Sequence, residues 1–208
     1  MHALSMQSAA WAGSESDVRS SESAMSVFMR GRVDAHAPLQ SSKNANCGYS
    51  RSMAARDGDG WIECACGSKH WGKHGAAGLL IIRDGAIFLQ HRAPWVHNGD
   101  TWGIPGGARD SHESIIEGAI REAVEETGIN PADLQAVHTF TDDHNGWSYS
   151  TVIALANENL EGHELNDESH EVRWVKFDDV TRLPLHPSFA KTWPLVMSEI
   201  NNLIAPTQ

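Results

Sequence analysis

Residues Gly107–Ile129 read GARDSHESIIEGAIREAVEETGI. Ile116, Ala119, Ile120, Ala123 and Val124 recur at helical spacing, which predicts a helix over 111–127 with these residues toward the core. Asp110 is the expected N-cap, with Glu113 three residues on as its capping-box partner, and Gly128 is the expected left-handed residue past the end. On a wheel of about 100° per residue, Glu125 and Glu126 fall within about 60° of Glu122, opposite the apolar stripe. Three carboxylates therefore share one expected exposed face.

Like charges three and four residues apart cost a helix a few tenths of a kcal/mol per pair. Arg121 lies four residues from both Glu117 and Glu125 and offsets part of that repulsion. Taken alone, such a face reads either as solvated acidic surface or as a site for a hard cation, because Mg2+ and Mn2+ prefer oxygen ligands. The charge of the chain bears on the choice. It has 27 acids against 16 bases, a net charge of −11. Residues 1–60 hold six of each, so the whole excess lies in 61–208. So acidic a surface repels nucleic-acid backbones, and it repels phosphorylated small molecules unless cations are bound between them. A bound cation would reverse the local field and hold a polyphosphate.

Working outward, the helix is preceded by the Gly-rich stretch TWGIPGGARD at 101–110. Before that, AAGLLIIR at 76–83 and AIFLQH at 86–91 flank Asp84-Gly85, the pattern of a β-hairpin. Further strands are expected at 135–141, 147–156 and 171–177. A last helix is expected at 187–204, with Pro187 in its first turn and a bend at Pro194. Strands and helices mix without regular βαβ alternation, which predicts an α+β domain, layered α/β/α around a mixed sheet.

Residues 1–60 hold twelve serines and no sustained apolar period. They are expected to be a disordered tail with a short helix near Met25–Met29, the first fifty or so residues dispensable and Met53 an alternative start. Residues 61–75 form a Cys/His lead-in, and 76–208 the folded domain. No run reaches the length of a membrane span, and the N-terminus lacks the basic start and apolar core of a signal peptide. Three cysteines, Cys47, Cys64 and Cys66, make no disulfide framework, so a cytoplasmic setting is expected.

Gly107, Glu113, Arg121-Glu122, Ala123, Glu125-Glu126, Gly128 and Ile129 match, at fixed spacing, the signature of the Nudix hydrolase family, with Ala123 where a larger aliphatic residue is commoner. The resemblance extends over about residues 75–205, through Trp102–Gly107 and Glu171–Val175. It implies a mixed sheet between helices, with the signature as a loop–helix–loop. It also implies divalent-metal-dependent hydrolysis of a phosphoanhydride in a nucleoside triphosphate or nucleoside diphosphate derivative, of the housecleaning type. ADP-ribose or dinucleotide polyphosphate hydrolysis, or nucleotide sensing without catalysis, stay open as alternatives. The metal, Mg2+ or Mn2+, would be held by Glu122, Glu125, Glu126 and the main chain of Gly106 or Gly107. Glu113 and Arg121 would steady those carboxylates.

The general base is open between Glu122, Glu125 and Glu171, the last at the start of a strand. Arg92, Trp102, Trp147 and Tyr149 are candidates for substrate binding, with His91 near the phosphates and His186 on an opposite wall. Asp142, Asp143 and His144 form a polar turn. Cys64, Cys66, His70 and His74 could satisfy a structural zinc ion, although Cys-x-Cys is tighter than the usual spacing; a metal-free lead-in strand is the alternative. The partner expected is a small nucleotide, with no nucleic acid or membrane, and a monomer or homodimer.

Overall fold

The computed structural model describes residues 56–164 and 167–204. The chain runs β1 (Trp61–Glu63), β2 (Lys69–Trp71), β3 (Ala76–Arg83), β4 (Ala86–Arg92), β5 (Trp102–Gly103), β6 (Gly106–Ala108), α1 (Ile115–Thr127), a 3-10 turn (Pro131–Asp133), β7 (Leu134–Asp143), β8 (Ser148–Ala156), β9 (Ser169–Lys176), α2 (Phe177–Val180) and α3 (Pro187–Ile204). Strands β3 to β9 form one mixed sheet, ordered β5-β4-β3-β8-β7, with β6 beside β3 and β9 beside β4. Only β3 and β8 run parallel, Ala76 opposite Tyr149 through Ile82 opposite Leu155.

Both faces of β3 are covered, which is why its sequence is continuously apolar rather than alternating. Leu79 and Ile81 join Phe88, Val152 and Ala154 under α1, against Ala119 and Ala123. Leu80 and Ile82 join Ile87, Leu89, Ile153 and Val175 on the other face, against Phe189, Trp193, Val196 and Ile200 of α3. The expected α/β/α layering is thus present. Ile116, expected in the core stripe, is exposed, because α1 turns it past the edge of the sheet.

Strands β3 and β4 pair only next to their hairpin, at Ile82–Ile87 and Arg83–Ala86. Beyond that point β3 pairs with β6 and β4 with β5 and β9, so the two strands part and the Gly-rich loop enters between them. That divergence creates the opening in which the site lies. The lead-in forms a separate two-stranded sheet, β1 with β2.

The readings of residues 1–55, including the tail, the short helix at Met25–Met29, Cys47 and the start at Met53, lie outside the described residues. Residues 56–60, expected to be part of that tail, are packed instead. Gly58 N donates to Asp110 Oδ1 at 2.8 Å, and Ser111 N and Oγ donate to Asp57. These partners lie more than fifty residues away, so local composition gave no sign of them. Among the described residues no helix is long and apolar enough to cross a membrane.

Candidate active site

Helix α1 starts later than the sequence predicts, at Ile115. Ser114 is the N-cap: its Oγ accepts from Glu117 N, and the Glu117 carboxylate accepts from Ser114 N. The N-cap is therefore Ser114 rather than Asp110, although the expected Asp110 N–Glu113 Oε2 bond is present at 3.0 Å. Glu113 is also bound to Arg121, whose Nε donates to Oε1 at 2.5 Å and Nη2 to Oε2 at 2.9 Å. Burial pushes the Glu113 carboxyl up, but Arg121 and the Asp110 N–H outweigh it and leave it below the usual range. Gly128 ends the helix in the left-handed region, φ 63°, as expected.

Arg121 also donates to Glu122 Oε1 at 2.7 Å, Ala108 O at 2.9 Å and Glu125 Oε2 at 3.3 Å. One guanidinium thus ties the loop strand β6 to three glutamates. It does not reach Glu117, the partner expected from spacing, because the cap uses that carboxylate.

The carboxylate face is not uniformly exposed, as the wheel suggested. Strand β6 covers Glu122 and Glu126, which are 8% and 6% exposed, and leaves Glu125 open. Glu126 Oε2 accepts from Gly106 N at 2.9 Å. A Cβ on Gly107 would stand 2.7 Å from the Glu122 carboxyl carbon, so any larger residue there would force that carboxylate to shift. Burial, and then the charge of Glu122, push Glu126 up to about 8, against the Gly106 N–H, the Gln90 side chain and Arg92. Burial also raises Glu122, with Arg121 opposing it. Gln90 Oε1 is buried with no hydrogen-bond partner. Glu122 and Glu126 are desolvated carboxyls and Glu125 is open to water; oxygen donors of this kind suit a hard divalent cation.

Arg56, which sequence reasoning missed, pairs with Glu125 through Nη2 and lies 3.7 Å from Glu122 Oε1 through Nη1. Its signal could not be local, since it acts from the far end of the lead-in.

The sequence-predicted substrate residues divide. Arg92 faces the opening, where its charge acts on Glu126, Tyr149 and His186. Tyr149 turns its hydroxyl over Gly78, where a Cβ would be 2.2 Å away, and burial pushes its phenol up. Trp102 is buried, with His91 stacked on its ring at 4.8 Å and the Arg173 guanidinium 4.2 Å from its centroid. No free ring face is left there for a base. Trp147 stacks on His70 at 4.0 Å and donates from Nε1 to Gly72 O, so it braces the lead-in. His186, half-buried, meets Asn98 at 3.0 Å.

Glu171 is not brought to the box glutamates. It pairs with His91 in register, one residue out of step with Gln90–Val172, the pair that faces α1. Its carboxylate is about half exposed and lies 3.7 Å from Arg173 Nε.

In the lead-in, Cys64, Cys66 and His70 converge, whereas His74 turns away to Asp57, 3.7 Å off. His144, and then His70, pull the Cys66 thiol down to about 6. Trp61 and Trp71 stay exposed, ring centroids 5.5 Å apart, with Trp61 6.2 Å from His97. The His97 carbonyl accepts from Arg92 Nε at 3.4 Å, so this aromatic pair borders the loop that carries Arg92.

The NUDIX domain family matches residues 72–196. This chain belongs to the Nudix hydrolase family. It is a pyrophosphohydrolase of that family. It is 47% identical over 156 residues to a putative 8-oxo-dGTP diphosphatase 3 of Mycobacterium tuberculosis, covering 70% of this chain and 71% of that one. It is 38% identical over 183 residues to a nucleoside triphosphate pyrophosphatase/Nudix hydrolase fusion protein of Bifidobacterium longum, covering 84% of this chain but only 38% of that longer protein. Among solved structures, the Nudix hydrolase RenU of M. smegmatis superimposes with a TM-score of 0.65 at 43% identity, over 73% of this chain and 99% of that one.

Proposed function

We propose that the chain is a divalent-metal-dependent, cytoplasmic enzyme that hydrolyses the phosphoanhydride of a nucleoside triphosphate, with an oxidised purine triphosphate such as 8-oxo-dGTP as its first candidate. The observation that carries the reading is the set of Glu122 and Glu126 under β6 with Glu125 open beside them, Arg121 holding Glu122 and Glu125. The M. tuberculosis relative's name supports the substrate class. Mg2+ or Mn2+ held by Glu122, Glu125, Glu126 and the main chain of Gly106 or Gly107 would supply charge neutralisation on the phosphate oxygens and a more acidic water.

The chain's own residues do the rest. Arg121 fixes the carboxylates through Glu113 and Ala108. Arg92 offers a cation to a phosphate at the mouth of the opening. Glu125 is open to water, so we assign the attacking water's proton to a box carboxylate rather than to Glu171. The exposed Trp61 and Trp71, rather than Trp102, Trp147 or Tyr149, have free ring faces for a nucleobase. The partner is a small nucleotide, not a nucleic acid, and the enzyme works as a monomer or homodimer.

The test is product analysis with purified full-length protein, Mg2+ and a panel of 8-oxo-dGTP, ordinary nucleoside triphosphates, ADP-ribose and dinucleotide polyphosphates. The reading expects the highest kcat/KM on a nucleoside triphosphate, with pyrophosphate released and activity abolished by EDTA. Full activity in excess EDTA, or preference for ADP-ribose, would overturn it.

A further inference from the structure

The β1–β2 hairpin has no core of its own. Its strands are three residues long and pair only with each other, and a lone two-stranded hairpin is marginal in water. Its large side chains Trp61 and Trp71 are 56% and 43% exposed. A segment so poor in buried apolar surface needs a staple to hold a fixed position.

Side chains at the tip of this hairpin meet the turn between β7 and β8. Donor atoms of Cys64, Cys66 and His70 all lie within 4.8 Å of one another, with Cys66 Sγ 3.1 Å from His70 Nε2. His144 arrives from the turn, its carbonyl 3.2 Å from Cys64 Sγ and its ring 4.7 Å from that of His70 and nearly perpendicular to it, beside the three converged donors rather than within their 4.8 Å group. Asp142 Oδ2 holds His144 Nε2 at 3.1 Å, which leaves Nδ1 as the nitrogen free to ligate. A carboxylate behind the imidazole is how histidine ligands are oriented in metal sites. His70 is fixed in turn by the Trp147 ring stacked on it.

We infer that Cys64, Cys66, His70 and His144 form a structural zinc site that clamps the lead-in hairpin to the β7–β8 turn. Two thiolates and two imidazoles make a soft tetrahedral set, unlike the all-oxygen cluster on α1. All four donors come from the chain, so no position is left for a reacting water, as in structural rather than catalytic zinc sites. His144 takes the place that spacing alone assigned to His74. Cys66 and His144 border a depression of about 310 Å³ shared with Ala65, Asp142, Asp143 and Asn145, which gives a cation its way in. The site is independent of the hydrolytic reading and would stand if the substrate assignment failed.

The experiment is zinc analysis of the full chain, grown with zinc and purified without metal-affinity resin. Wild type and His74→Ala should each carry about one zinc per chain, and Cys66→Ser and His144→Ala less than about a tenth. Cobalt-substituted wild type should show thiolate-to-metal charge-transfer absorption, a readout that does not depend on any variant folding. A strong chelator should lower the wild-type melting temperature by more than about 5 °C. Wild type with under a tenth of a zinc per chain and no cobalt–thiolate band would overturn the site. Zinc retained in His144→Ala would remove His144 from it.

Discussion

The helix α1 with its preceding loop and the lead-in at residues 56–75 both meet at the site, yet they specify themselves differently. In the first, Arg121, Glu122, Glu125 and Glu126 sit within six residues, and one guanidinium joins Glu122 and Glu125. In the second, the contacts that tie it to the rest of the molecule are remote: Arg56 to Glu125, Gly58 to Asp110, Cys64 to the His144 carbonyl, Trp147 to Gly72. Chemistry constrained by helix periodicity writes itself into a short string, whereas a support built from long-range contacts leaves little local pattern.

If that contrast is right, the largest effect comes from the string. Glu125→Gln should lower kcat by about 10³-fold, several kcal/mol of transition-state stabilisation, while the melting temperature stays within about 2 °C, since Glu125 is exposed. The measurement is steady-state hydrolysis beside a thermal melt; retained turnover would detach the acidic helix from the chemistry. Gly107→Ala is next. Its Cβ would strike the Glu122 carboxyl, and displacement of the order of 1 Å costs about 10²-fold in rate. A variant with unchanged kcat would mean that β6 yields freely.

The lead-in should answer more weakly. Trp61→Ala should raise KM by about tenfold with kcat nearly unchanged, the size expected for loss of one stacked base; an unchanged KM would free Trp61 from substrate. Deletion to Met53 should be neutral. Deletion to Trp61, which removes Arg56, Asp57 and Gly58, should lower the melting temperature by about 5 °C. Equal melting temperatures for the two would show that these contacts add nothing. Last, Glu171→Gln should change kcat by less than about threefold, because its carboxylate faces Arg173 and not the box. A loss of 10² would return the base to Glu171.

The sheet and both long helices were legible because apolar periodicity decides burial, as in 76–83 and 187–204. The Gly107–Ile129 stretch was legible down to the carboxylates. Three details escaped it. The cap lies at Ser114, where Glu117 completes a second box that the sequence also spells. Glu122 and Glu126 became buried because a wheel describes one helix and not the strand laid over it. Trp102, Trp147 and Tyr149 were candidates for substrate binding, but a sequence cannot say which ring faces are already covered. His144 could have been found only by noting that a second polar turn, Asp142–Asn145, lacked a task.

The parallel pairing of β3 with β8 also has a kinetic side. Ala76 finds its partner only when Tyr149 is available, and everything that carries the chemistry, from Arg92 to Gly128, is strung between the two. Closing so long a loop is entropically slow, and parallel strands cannot be brought together by a hairpin. A nascent chain that has exposed α1 but not β8 offers the helix β3, β4 and β6 but not Val152 and Ala154, so its apolar face is only partly covered. The carboxylates would gather only as the last third of the chain arrives, so hydrolysis should appear late in refolding, after most helical signal has returned.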